Sequence, residues 1–384
     1  MKRNLRSKHK TSIKFTFILA SILMIGCGEK KTTPEVEKET TLKEAFKSNF
    51  LIGSAVNDNL VSKKDSLGEQ IVLTEYNTIT PENSMKWMYM EPEQGNFEFE
   101  TADKYIDFST KNDIAFIGHN LVWHSQLADW VEKIESKEEL SASLKNHVQT
   151  VAARYSGKIH GWDVVNEALN EDGTLRNSLF LKQLGPDYLI NSFKWAQEAD
   201  PKAELYYNDY NMTRQEKRAG AIKLVKDIQA SGARIDGIGM QAHWGLEDPT
   251  LEEIETSILE YSDLGIQVMI TEFDITVLPN PWDLEGAEVS QNFEGSEHMN
   301  PYTKELPDSV NTQLAQRYKD IFSLFKKHSD KISRVTFWGI NDGVSWLNSW
   351  PIVDRTNYPL LFDREYNRKP AYYSVLEVAK DSAL

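Results

Sequence analysis

An α/β protein built as a single (β/α)8 barrel is what this 384-residue sequence predicts, on three observations. Short runs of β-branched and aromatic residues alternate eight times with longer stretches of helical periodicity. Neither GxGxxG nor GxxxxGK[ST] occurs, which removes the phosphate-binding turn that marks an open doubly wound sheet. Finally, the strand-like runs end in residues able to do chemistry, as a barrel that builds its site from βα loops requires.

The chain opens with something other than the barrel. Lys2, Arg3, Arg6, Lys8, Lys10 and Lys14 precede an apolar run over 15–25, the charged and hydrophobic regions of a secretory signal. The run is too short to span a bilayer, which needs about 20 residues. It stops at Gly26-Cys27, and Cys27 is the single cysteine of the chain, so no intramolecular disulfide can form. A small residue and a lone cysteine in this position resemble a bacterial lipoprotein cleavage box. Residues 1–26 then read as a signal peptide, Cys27 as the lipidated new N-terminus, and 27–41 as a polar tether. The alternative is an ordinary signal peptide with an incidental cysteine. Either way the protein is expected to be exported. As a lipoprotein it would be held at a membrane, facing the periplasm or the cell surface.

The catalytic domain is expected over 42–381. Strands are predicted at 50–56, 77–80, 114–119, 161–166, 204–208, 237–241, 267–271 and 334–338, with helical segments such as 140–154, 188–199, 214–230, 251–264 and 312–327 between them. The second strand runs into Glu82 and Asn83, the third into His119, the fourth into Asn166 and Glu167, and the fifth into Asn208 and Asp209. Gln241 and His243 follow the sixth, Glu272 and Asp274 the seventh, and Trp338 ends the eighth. Strand ends are polar by default where the chain re-enters water. That default does not supply carboxylate, carboxamide, imidazole and indole converging on one face.

Glu167 and Glu272 each end an apolar strand, so rigid elements would carry both carboxylates to the same mouth. Two carboxylates facing each other across a concave site suit glycoside hydrolysis, where one protonates the leaving oxygen and the other attacks or stabilises the anomeric carbon. His119 and His124 lie five apart and no HExxH or CxxC exists, so neither a metal nor another cofactor is expected.

The blocks WDVVNEAL (162–169) and ITEFDI (270–275) carry the pair. With them come TPENSMKW (80–87), GHNLVWHSQ (118–126), LYYNDYN (205–211), IDGIGMQAHW (235–244), VTFWGINDGVSWLNSW (335–350) and LLFD (360–363). Together they resemble the xylanase family of glycoside hydrolases, family 10, in order and from about residue 42 to 373. The resemblance implies an endo-1,4-β-xylanase that cleaves internal xylan bonds with retention. Glu272 would be the nucleophile and Glu167 the acid and then the base, their carboxyls about 5–5.5 Å apart. It implies that His243 and Asp274 keep Glu272 ionised and that Asn166 holds the sugar 2-hydroxyl. Glu82, Asn83, Lys86, His119, Trp123, Gln126 and Gln241 would bind sugar, and Trp338 and Trp346 would wall the cleft. Trp87, Trp162, Trp195, Trp244, Trp282 and Trp350 have weaker claims, several as core. Ser84 stands where the family often has Glu or Ala, and Ala128 replaces the proline usual before Trp130. The long polar connection over 276–308 is expected to border the cleft and adjust which substituted chains fit.

Composition narrows the rest. At 40% hydrophobic and 11% aromatic the chain buries a large core, and a net charge of -15 argues against nucleic acid as partner. A monomer acting on xylan and xylo-oligosaccharides is expected. Two other readings use the same residues: a hydrolase of another β-1,4-glycan such as cellulose, and a non-catalytic xylan-binding protein.

Overall fold

The computed structural model describes residues 40–381, apart from 285. The expected signal peptide over 1–26, Cys27 and nearly all of the tether lie outside the described residues. From Thr40 onward the chain forms one compact unit.

Eight parallel strands close into a barrel: β1 (Leu51–Val56), β2 (Thr78–Pro81), β3 (Ala115–Trp123), β4 (Gly161–Asn166), β5 (Glu204–Asp209), β6 (Gly237–Met240), β7 (Gln267–Thr276) and β8 (Ile332–Phe337). Each pairs with the next, β6 pairs with β7 from Gly237 against Gln267, and β8 returns to β1 with Arg334 against Leu51. A major helix follows each strand: α1 (Ser66–Glu75), α2 (Glu100–Asn112), α3 (Lys137–Arg154), α4 (Asp187–Ala199), α5 (Gln215–Ala230), α6 (Leu251–Ser262), α7 (Asp308–Lys327) and α8 (Pro370–Lys380). Their starts are written in the sequence. Asp65 caps Gly68, Ser136 caps Glu139, and Thr250 with Glu253 forms a capping box. Pro370 opens α8, where its missing N–H costs nothing.

The main core lies between strands and helices, and a smaller buried cluster of Ile117, Tyr206 and Met269 comes from inward-facing strand positions. Close packing there decides sequence locally. A Cβ on Gly118 would sit 2.2 Å from the Trp162 ring, so that strand position has no room for a side chain. Trp87, Trp162 and Trp244 are core, as expected, whereas Trp282 is 95% exposed.

Two strands run several residues past their predicted ends. β3 continues to Trp123 through a register shift between His119 and Val122, and β7 continues to Thr276. Beyond the barrel rim His243–Gly245 adds a short parallel strand to β7, with His243 directly opposite Asp274. Further shifts fall between Asp163 and Val165 and between Ile270 and Phe273. Such irregularities re-aim side chains, and here they flank both predicted carboxylates.

Candidate active site

Thirteen of the fourteen predicted cleft residues line a single cleft at the C-terminal mouth of the barrel, together with Ala287 and Val289. Asp274 alone stands behind it.

Glu167 begins the loop after β4 in the left-handed backbone region, φ 56°, which a residue with a side chain adopts only when its surroundings hold it. The Glu167 N–H donates to the Asn208 carbonyl at 2.9 Å. Its carboxyl is fully engaged: Trp123 Nε1 donates to Oε2 at 2.7 Å, and Gln241 Nε2 and Asn166 Nδ2 donate to Oε1 at 2.9 and 3.1 Å. Burial pushes Glu167 above the ordinary carboxylate range; the nearby His124 and the hydrogen bond from Gln241 oppose this, and the negative charges of Asp209 and Glu272 add to it.

Glu272 is held the other way. Burial alone would raise it, but contacts with His243, the nearby His119 and the hydrogen bond from Asn208 bring it below the usual value. Asn208 Nδ2 donates to Oε1 at 2.7 Å and His243 Nε2 lies 3.3 Å from Oε2. His243 Nδ1 is 3.1 Å from Asp274 Oδ1, which pairs the charges without the alignment of a hydrogen bond. Burial pulls His243 down, yet Asp274 and Glu272 together carry it up to about 10, so the ring is a cation at neutral pH. Because folding raises this group from its ordinary 6.5, its stabilising contribution is complete below that pH and is lost as pH rises through about 10.

The two carboxylates are connected through a pair of asparagines. Asn208 Nδ2, which donates to Glu272, also donates to Asn166 Oδ1 at 2.9 Å, and Asn166 in turn donates to Glu167. Thr271 Oγ1 fixes the other end of Asn208 at 2.6 Å. One frame of strand-end side chains therefore sets both carboxylates and separates their proton affinities, the division of labour that acid–base chemistry at a glycosidic bond needs.

To one side, Lys86 Nζ donates to Asn83 Oδ1 at 2.8 Å and sits 4.9 Å over the Trp123 ring. Burial lowers Lys86, while Glu272, Glu167 and Glu82 oppose the shift. Burial pushes Glu82 up to about 7 against the pull of Lys86, with Asp58 adding to the rise. Ser84 hydrogen-bonds Asp58, which fixes a group Glu82 faces. His119 Nδ1 pairs with Asp163 Oδ2 at 2.9 Å, and its ring meets the Trp338 ring edge-on at 5.4 Å. Opposite, Trp346 Nε1 donates to Asp274 Oδ2 at 2.8 Å and its ring stacks on Trp350 at 4.5 Å. Asp274 thus serves both His243 and the indole wall. Gln126 lines the cleft in the left-handed region, φ 48°, and its carbonyl accepts from Met88.

Asn208 and Asp163 carry structural duties in the site that the sequence reading did not assign. Asn208 lies within the quoted LYYNDYN block, and Asp163 shows as a charged residue inside an apolar strand, a position that costs energy unless paired. Arg176 and Glu288, which meet beside Glu167, carried no such signal. Among the described residues no group of three His, Cys, Asp or Glu is placed to hold a metal ion.

Comparison with known proteins agrees with this geometry. The chain is 40% identical over 347 residues to "Endo-1,4-beta-xylanase A" of Xylanibacter ruminicola, covering 89% of this chain and 94% of that protein. It is 40% identical over 345 residues to "Endo-1,4-beta-xylanase" of Geobacillus stearothermophilus, covering 88% and 98%. The fold superposes with TM-score 0.84 and 43% identity on a GH10 endoxylanase retrieved from a sugarcane soil metagenome, covering 88% of this chain and 99% of that one. With the sequence model of Glycosyl hydrolase family 10 matching residues 41–378 as well, the chain belongs to that family.

Proposed function

We propose that this protein is an endo-1,4-β-xylanase that cleaves internal xylosidic bonds by double displacement, with Glu272 as nucleophile and Glu167 as acid and then base. The observation that carries the reading is the Glu167–Asn166–Asn208–Glu272 frame, in which the proton affinity of one carboxyl is raised and that of the other lowered. Glu272 attacks the anomeric carbon while Glu167 delivers its proton to the departing oxygen. Glu167, now ionised, takes a proton from the water that releases the sugar, and two inversions give net retention. The family resemblance assigns Asn166 the 2-hydroxyl of the reacting sugar, a contact that gains strength in the transition state. Trp338 and Trp346 line the cleft, and an indole offers a pyranose ring a flat apolar face; the family resemblance implies that these walls crowd the space a hydroxymethyl group would need, which favours xylose over glucose. NMR of the fresh product on linear xylan tests this: β-configured reducing ends are expected, and an initial α product would overturn the mechanism. Cellulose cleaved faster than xylan would overturn the substrate.

The imidazolium is tied to activity at low pH. In Asp274→Asn, burial of His243 is opposed by Glu272 alone, so the ring loses its proton more readily and the cation beside Glu272 is weakened. The acid limb of kcat/KM is expected to move to higher pH, and a limb that stays where the wild type has it would count against the assignment.

We further propose that Cys27 is lipidated and tethers the enzyme to a membrane on the exported side; the basic and apolar leader and the position of the lone cysteine support this. Cys27→Ala should move the protein from the membrane pellet to the soluble fraction. Retention in the pellet would exclude the anchor.

A further inference from the structure

The connection between β7 and α7 does more than border the cleft. Ala287 and Val289 line it, and between them Glu288 turns away toward the loop that carries Glu167. Its Oε2 accepts from Arg176 at 2.7 Å and lies 3.3 Å from His124 Nε2, while its Oε1 accepts from the Ser290 N–H and hydroxyl at 3.3 and 3.2 Å. Arg176 is itself a bracket on the acid's loop. It donates to the backbone carbonyls of Glu167 and Leu169 at 3.1 and 3.3 Å and to the Tyr210 hydroxyl at 2.5 Å. The connection is pressed against the same Tyr210. Gly286 sits at φ 59°, and a Cβ there would lie 2.3 Å from the Tyr210 ring. The hydrogen bond from His124 is the main reason the Glu288 carboxyl falls to about 2, so the clasp stays charged across the working range.

We propose that Glu288 is a positioning residue that clasps this connection onto the acid's loop, so that Ala287 and Val289 form the wall met by the departing part of the xylan chain. The side follows from chemistry, because a wall tied to the loop that carries the acid lies on the side where the leaving oxygen is protonated. The inference rests on Glu167 being the acid, and it deepens that reading by naming the residue that selects for long leaving chains.

The test compares xylohexaose, whose leaving part is sugar, with 4-nitrophenyl β-xylobioside, whose leaving part is a small ring, in Glu288→Ala and the isosteric Glu288→Gln. Losing a charge-assisted hydrogen bond is expected to raise KM for xylohexaose about tenfold. Constants on the aryl substrate should stay within about twofold, since its leaving part is one ring that meets little of the wall and departs without much help from the acid. Limited proteolysis within 281–305 should also speed up in the full-length variants. Unchanged constants on both substrates, or an equal loss on both, would overturn the proposal. Wild-type enzyme unable to cleave xylohexaose would instead sink the functional reading, and this inference with it.

Discussion

Glu272→Ala is expected to lower turnover of xylan by on the order of 10⁴–10⁶-fold, the scale of loss when a covalent nucleophile is removed. No neighbour can take its place. Burial raises the proton affinity of Glu167, which suits it to be an acid and not a nucleophile, and Asp274 is turned toward His243 and Trp346. The variant should still fold. Asn208 Nδ2 keeps Asn166 Oδ1 as its acceptor and the His243 charge keeps Asp274 beside it, so the loss is confined to the acceptor that Glu272 gives His243 Nε2 and the second bond of Asn208. Thermal unfolding should therefore show a small shift while activity disappears. A small anion decides the role. With azide and an activated aryl β-xylobioside, the space left by the carboxylate admits the anion, and a single attack should give the α-glycosyl azide. A β-azide, or full activity without azide, would show that Glu272 is not the nucleophile.

What could be read in the sequence and what could not divides along physical lines. Residues at the strand ends were legible because the barrel sends every strand end to one mouth. Glu82, His119, Gln241 and Trp338 needed only their strand's place in the order to be assigned to the cleft. The two pKa directions were legible in outline, since a buried carboxyl beside a second one must stay protonated unless a cation offsets it. Relations between side chains were not. Asn208 serves Glu272 and Asn166 only because β5 lies next to β4 and its amide reaches from one carboxylate's partner to the other. Asp163 pins His119 because the β3–β4 register sets them opposite each other. The clasp at Glu288 is further from reach, because it joins residues 112 apart through a connection without regular structure over most of its length. Strand ends were misplaced for a related reason. The register shifts that let β3 run on to Trp123 depend on packing against β4, and no local propensity announces them.

Glu167→Ala should behave differently from the nucleophile variant, and the difference identifies the acid. On xylan the loss is expected to be about 10²–10⁴-fold, the value of general-acid assistance. On an aryl xylobioside with a good leaving group the first displacement needs no proton, so glycosylation should stay close to the wild-type rate. The second displacement still needs a base, so the glycosyl-enzyme should accumulate, seen as a burst of phenol followed by slow turnover. The pH profile carries the sign. In the wild type Glu167 must hold its proton, and its raised affinity extends activity upward until pH passes through that raised value, where the basic limb falls. Removing the group should erase that limb for substrates with activated leaving groups, while the acid limb, which belongs to Glu272, stays. Trp123, Gln241 and Asn166 lose a shared acceptor, and some stability should be lost with it. That cost is separable, because a folding defect lowers all substrates alike. Equal losses on xylan and on the activated glycoside, with no burst, would remove Glu167 from the role of acid.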